Sequence, residues 1–433
     1  MNTSHAIPNM LLREHMFDVP LDHARPNGPT IRIFAREVVN REHDDDDLPW
    51  LVFFQGGPGF GAPRPMDNSG WLKRVLQDYR VLLLDQRGTG RSTPVNIQTL
   101  RRVGNTQEQF EFLRHFRADA IVNDAEWIRG KLLQDRQRWT AFGQSYGGWC
   151  ITSYLSQAPQ GLEAVILTGG LPPIHRSADE VYRATYQVVE HKNCRYYQRY
   201  PQDEERVQRI ARHLVDNDVR LPMGDQLTLR RFQQLGLSFY RSTGYDAVHY
   251  LLENAFVDDG PNPELNYAFL RAFEQQFAFD TNPIFAILHE SIYAQHTATN
   301  WAADRVRAEY PQFDSGPGSR ILLTGEMIYP WMFDDIDQLA PYRDVARRLA
   351  EFDGWTALYN LDVLQQNEVP LAAIVYYEDM CVAREFSLET AKSIQGTRVW
   401  ITNEYEHNGI GVAGERILDT LIQMVRDNVT FAF

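Results

Sequence analysis

The stretch Trp139-Thr140-Ala141-Phe142-Gly143-Gln144-Ser145-Tyr146-Gly147 decides how the rest of the chain is read. Its first four residues are a short apolar run of strand type, and Cys150 to Ser156 beyond it has helical character. Between the two stands Gly-x-Ser-x-Gly, a spacing suited to a sharp strand-to-helix turn that lifts Ser145 clear of a sheet. Gly143 and Gly147 make such a turn possible, because a backbone bent so tightly leaves little room for side chains on either side of the serine. The pentapeptide alone also fits an ordinary tight turn; the flanking strand and helix are what point to a nucleophile.

Working outward, other short apolar runs bounded by glycine or proline recur at Leu51 to Phe54, Val81 to Leu84 and Val165 to Leu167, and again at Ala372 to Tyr376 and Val399 to Ile401. They read as strands buried on both faces. Ala120 to Leu133, with Ile121, Ala125, Ile128 and Leu132 on one face, and Gly414 to Val425 read as helices. Strands alternating with helices predict an α/β fold with a mostly parallel sheet. Met10 to Asp22 and Thr30 to Val38, joined through Asn27-Gly28-Pro29, predict an opening β-hairpin, and the acidic run His43 to Asp47 predicts a solvated turn rather than a metal site. After Pro172-Pro173 the rhythm changes to aromatic-rich helices. The expected division is therefore 1–172 core, 173–318 inserted helical cap and 319–433 core again, with the start of that last part linking to the cap. Tyr196, Tyr197 and Tyr200, with Phe269, Phe273 and Phe277, read as helix-packing core, some of them free to line a pocket.

Composition bounds the function. The 433 residues carry 43 basic and 57 acidic side chains, a net charge of −14 that repels nucleic acid and anionic membranes. A 43% hydrophobic, 23% charged chain with 12% aromatics folds into globular domains. Cys150, Cys194 and Cys381 are too far apart in sequence for a CxxC or a zinc-type cluster, which favours a reducing compartment. With neither a signal-like N-terminus nor a stretch of about 18 apolar residues, the expectation is an unanchored cytoplasmic protein.

A serine hydroxyl needs a base, and the base needs an acceptor to fix its tautomer. On a strand-turn-helix nucleophile the order along the chain is serine, acid, histidine. Tyr377-Glu378-Asp379-Met380 follows one late strand and Glu404-Tyr405-Glu406-His407 the next, so His407 is the expected base and Asp379 the expected acid, with Glu378 its rival in the same loop. The 28 residues between Asp379 and His407 leave room for a crossover helix and a strand. The oxyanion donors expected are the N–H of Tyr146 and one from Gln55-Gly56-Gly57-Pro58-Gly59, Gly57 above all. A dinucleotide fingerprint started at Gly57 fails because position 62 is alanine, and the variant ending in alanine lacks an acidic partner after the next strand.

Three motifs together are far more selective than any one: Gly56-Gly57-Pro58-Gly59, Asp85-Gln86-Arg87-Gly88-Thr89-Gly90-Arg91-Ser92 and Gly143-Gln144-Ser145-Tyr146-Gly147-Gly148. The series resembles that of the proline iminopeptidases, serine peptidases of the α/β-hydrolase fold with a helical cap, and the length is similar to their larger subgroup. Gln55 departs from the histidine usual before Gly-Gly-Pro-Gly. The resemblance implies release of N-terminal proline from small peptides by acyl-enzyme chemistry without cofactor or metal, and cap carboxylates, Glu290 and Glu326, that hold the substrate's free amino terminus. Each of these glutamates also reads as a plain surface residue. Tyr293 breaks a His-Glu-x-x-His zinc motif at His289. The Asp85 to Ser92 segment reads as a hydrogen-bonded brace beneath the nucleophile turn rather than an anion binder. The rival readings are a capped hydrolase acting on other amides or esters and a non-catalytic binding protein on the same scaffold.

Overall fold

The computed structural model describes residues 4–133, 137–258, 260, 263–277, 279–314 and 316–426; the extreme ends of the expected domain division and of the N-terminal reading lie outside them. The described residues form a sheet of nine strands: β1 (Ser4–Ile7), β2 (Met10–Pro20), β3 (Thr30–Asn40), β4 (Trp50–Phe54), β5 (Arg80–Leu84), β6 (Trp139–Gln144), β7 (Leu162–Thr168), β8 (Leu371–Tyr376) and β9 (Thr397–Thr402). Their spatial order is β1-β2-β3-β5-β4-β6-β7-β8-β9. The pairs from β5 through β9 are parallel, while β1, β2 and β3 add an antiparallel edge.

The central strands are apolar without alternation because both faces are covered. Val52, Phe54, Leu82, Leu84, Ala141, Val165 and Leu167 join one buried cluster with helices Ala118–Leu133 and Tyr146–Gln157. Leu51, Phe53, Val81, Leu83, Phe142 and Ile166 point the other way, onto helices Gly70–Val75 and Gly409–Val425. Neighbours along a strand thus serve opposite layers, as the two-residue period requires. The last helix starts five residues before the expected Gly414, with a break in its backbone angles at Ala413. The expected hairpin forms, and in the acidic turn after it Asp45, Asp46 and Asp47 are exposed as expected, while Asp44 is drawn in to accept a hydrogen bond from Arg13 at 2.6 Å.

Between Thr168 and Leu371 no strand joins the sheet among the described residues. The first long helix of this region, Ala178–Arg199, opens with a capping box in which Ser177 and Glu180 satisfy each other's backbone amides. Tyr196, Tyr197, Phe269 and Phe273 are buried among the helices, whereas Phe277 reaches the cavity described below. The segment Ile321 to Thr324 is drawn against these helices: Leu323 N–H donates to Asn193 Oδ1 (2.8 Å), Thr324 N–H to Gln233 O (2.7 Å) and Tyr197 Oη to Ile321 O (2.7 Å). That attachment sets the position of Glu326, two residues on. Among the described residues no helix is long and apolar enough to cross a membrane.

Candidate active site

The site forms where β4, β6, β8 and β9 end. Ser145 stands directly after β6 with φ 52° and ψ −123°, a conformation costly for a residue with a side chain and characteristic of a nucleophile turn. Its surroundings explain the glycines. A Cβ on Gly147 would come within 2.1 Å of Phe54 O, and one on Gly143 within 2.7 Å of the Gly147 backbone. Helix Tyr146–Gln157 begins at once, so the Tyr146 N–H belongs to a first turn whose amides have no partner within the helix.

Across from the serine, His407 Nε2 lies 2.9 Å from Ser145 Oγ and its Nδ1 lies 2.7 Å from Asp379 Oδ2. The other Asp379 oxygen accepts the N–H groups of Cys381 (2.8 Å) and Val382 (3.0 Å). Glu378, the sequence rival, faces away: its carboxylate meets Arg195 and lies 3.8 Å from His191. Burial opposes charge on His407, but the Asp379 carboxylate, with Glu326 and Glu406 behind it, holds the imidazole above its ordinary pKa. Gly56 and Gly57 border Ser145 from the β4 loop, and a Cβ on Gly56 would stand 3.1 Å from Ser145 Cβ. Close backbone approach is the reason for glycine there.

The Asp85 series is a brace, though it serves the oxyanion loop and the hairpin rather than the nucleophile turn. Asp85 Oδ1 accepts the Ala62 N–H at 2.9 Å, Gln86 Nε2 donates to Gln55 O at 3.0 Å, and Ser92 Oγ ties Asp85 O to the Phe34 N–H. Arg87 is fully buried against Asp124 and the carbonyls of Pro20, Leu21 and His115, so it offers nothing to an anion.

A cavity of about 400 Å³ opens over Ser145 and His407. Its walls are the β4 loop, Phe60, Phe277, Phe279 and Phe285, with Tyr240 and Arg241 at one side and Glu326 and Cys381 at another. Glu326 is half-buried and faces this space. Loss of water pushes its carboxyl up to about 7, partly offset by the charge of His407 and by a hydrogen bond from the Cys381 thiol. No arginine or lysine pairs with it among the described residues.

Glu290 is placed differently from its sequence expectation. It does not line the cavity; its two oxygens accept the N–H groups of Ala302 and Ala303, each at 2.9 Å, at the start of helix Ala302–Arg307. Burial still raises its carboxyl to about 7. The start of that helix left free amides, and Glu290 satisfies them.

Asp379, Cys381 and His407 bring ligand-type atoms within 4.8 Å of one another. Both imidazole nitrogens are already engaged by Ser145 and Asp379, and the buried Cys381 thiol is held well above its ordinary pKa, so the donor set is that of an acid–base pair beside a protonated thiol.

One component had no sequence signal. Lys192, on helix Ala178–Arg199 and fully buried, places Nζ 2.5 Å from Glu406 Oε2 and 3.9 Å from Glu378 Oε2. It thus links the residue before His407 to the residue before Asp379. A lysine inside a helix has no local motif, and only the docked helix shows what it touches.

A family model described as the alpha/beta hydrolase fold matches residues 49–412. A proline iminopeptidase of Aeromonas sobria is 50% identical over 414 residues, covering 95% of this chain and 96% of its own. A proline iminopeptidase of Aspergillus aculeatus is 35% identical over 423 residues, covering 96% of this chain and 94% of its own. With the nucleophile turn, the hydrogen-bonded serine–histidine–aspartate series and near full-length matches of this kind, the chain belongs to the proline iminopeptidases of the α/β-hydrolase fold.

Proposed function

We propose that the protein is a serine aminopeptidase that releases N-terminal proline from small peptides through an acyl-enzyme. The observation that carries the reading is one cavity lined by Ser145, by His407 with Asp379 hydrogen-bonded behind it, and by a Glu326 carboxylate that no arginine or lysine of the described residues pairs with. The charged proline nitrogen sits against Glu326, which places the first carbonyl carbon over Ser145. His407 takes the Ser145 proton as Oγ attacks, and Asp379 stabilises the imidazolium. The N–H groups of Tyr146 and Gly57 hold the oxyanion. Collapse breaks the C–N bond, His407 gives its proton to the departing amine, and water, activated by the same imidazole, releases proline.

Glu290 takes no direct part; it holds the start of helix Ala302–Arg307. Residues 1–172 and 319–433 make up the hydrolase core and 173–318 its cap, with the start of the last part tied to that cap. Three free cysteines, two of them buried, favour a reducing cytoplasm, and the acidic surface favours peptides over nucleic acid or membrane as partners. Hydrolysis of aminoacyl-naphthylamides with free and acetylated N-termini tests the reading. Proline with a free terminus is expected to be preferred over alanine and over acetyl-proline, and equal rates for a simple acyl ester and blocked proline would assign a general esterase instead.

A further inference from the structure

We infer that Arg241 binds the terminal carboxylate of the substrate, so that the enzyme selects peptides of two or three residues. The inference rests on the prolyl aminopeptidase reading and adds the far end of the substrate to it. Arg241 is the one arginine or lysine that lines the cavity containing Ser145, His407 and Glu326 among the described residues. It is exposed at the rim, whereas Glu326 lies within, so the cavity carries opposite charges along its length.

Many other arginines of the region between Thr168 and Leu371 are paired with carboxylates. Arg183 pairs with Glu309, Arg199 with Asp246, Arg230 with Asp335 and Arg320 with Glu204. Among the described residues Arg241 has no such carboxylate. Its Nε donates to Tyr240 Oη at 2.8 Å and its guanidinium carbon lies 5.0 Å from the Tyr240 ring centre, which leaves the two terminal nitrogens without a protein partner. Those nitrogens form the fork that a carboxylate accepts in a bidentate pair.

The position is fixed relative to the catalytic base. The Tyr240 ring centre is 6.2 Å from that of His407, and the N–H and Oγ of Ser242 both meet Asn408 Oδ1, at 3.0 and 3.1 Å. The Glu406 N–H also reaches Ser242 Oγ, so the Arg241 segment is docked on both sides of His407. These separations set the Arg241 guanidinium carbon no more than about 11 Å from the His407 ring. A paired carboxylate carbon stands about 4 Å from a guanidinium carbon. What remains is at most about 7 Å, so no more than one or two extended residues of about 3.5 Å each fit between the scissile bond and the paired carboxylate.

The test compares kcat/KM for Pro-Gly and Pro-Gly-Gly with their C-terminal amides, using the full chain and Arg241→Ala. The parent is expected to favour the free acids by about tenfold or more, the usual size of a charge-assisted pair, and Arg241→Ala to bring the ratio to about one. Arg241→Lys, which keeps the charge but loses the fork, is expected to give an intermediate ratio. An acid-to-amide ratio near one in the parent, or one left unchanged in both variants, overturns the inference. Prolyl-naphthylamide separates the two readings: if the parent fails to cleave it, the aminopeptidase reading itself falls, whereas cleavage with no acid preference removes only the role of Arg241.

Discussion

The ends of the core strands and the cap meet at the same cavity but treat their polar groups in opposite ways. On the core side the acid and the base are both saturated: Asp379 accepts from His407, Cys381 and Val382, and both His407 nitrogens are engaged. On the other side Glu326, in the core segment tied to the cap helices, faces the cavity with a thiol as its hydrogen-bond donor and a carboxyl raised to about 7. Saturated groups are held in one geometry before substrate arrives, which suits bond making and breaking. An unsatisfied carboxyl gains most when a cation enters, which suits selection. Glu290 shows that the difference concerns placement rather than residue type, because two backbone amides make it structural.

Substitutions on the core side test this contrast most severely. Asp379→Asn is expected to lower kcat by about 10⁴ through the wrong imidazole tautomer, and Ser145→Ala by at least about 10³ with the fold intact. Glu378→Gln is expected to be mild; the reverse ranking of Glu378 and Asp379 would reassign the acid. A folded Ser145→Ala protein with near-normal turnover breaks the nucleophile assignment outright. On the other side, Glu326→Gln is expected to reduce kcat/KM for prolyl substrates by about 10²-fold while a neutral ester and fluorophosphonate labelling of Ser145 change little, as befits a charge-assisted contact. Glu290→Gln is expected to act on stability instead, by about 1–3 kcal/mol in denaturant unfolding, since a paired buried acceptor is replaced. If Glu290→Gln proves as selective for prolyl substrates as Glu326→Gln, the division between the two glutamates fails.

Smaller effects sharpen the same picture. His407 accepts the serine proton only when neutral, and its raised pKa sets the acid limb of kcat/KM above the ordinary histidine value of about 6.5. Glu326→Gln removes one of the anions that raise it, so the limb measured with a neutral ester is expected to move to lower pH. Stability has its own signature. A carboxyl raised to about 7 on folding contributes most below its unfolded pKa, and that contribution is lost as pH rises through 7. Relative to the parent, Glu326→Gln is therefore expected to gain in Tm between about pH 5 and pH 8. Lys192→Met is expected to cost about tenfold in kcat with a shifted acid limb, through looser His407 and Asp379 loops. Cys150→Ser is expected to stay within about twofold of the parent, since that thiol is buried and held above its ordinary pKa.

The core was legible because its signals are local. Apolar runs such as Leu51 to Phe54 must be strands buried on both faces, and the crowding around Gly143 and Gly147 is imposed by a turn only five residues long. The order serine, acid, histidine is likewise a regularity of the strand-turn-helix nucleophile, so two late strand ends were enough to look in. The cap was less legible since its function depends on which helix end meets which side chain. Glu290 and Glu326 look alike in sequence, and what distinguishes them is the start of helix Ala302–Arg307 against one and open cavity against the other. Lys192 and Arg241 likewise gain meaning only from Glu406 and His407, more than 160 residues away in sequence.

Ser145 and His407 are 262 residues apart, and Lys192 on a cap helix ties down the residue before each of Asp379 and His407. During synthesis the ribosome therefore delivers the nucleophile long before its base, with the whole cap between them. A nascent chain that has folded only its first strands lacks the base that activates the serine, and hydrolytic competence arrives only once the strands carrying Asp379 and His407 have docked. Peptide cleavage is in this sense a property of the completed molecule, and a truncated or half-folded copy is chemically silent toward the polypeptides that surround it.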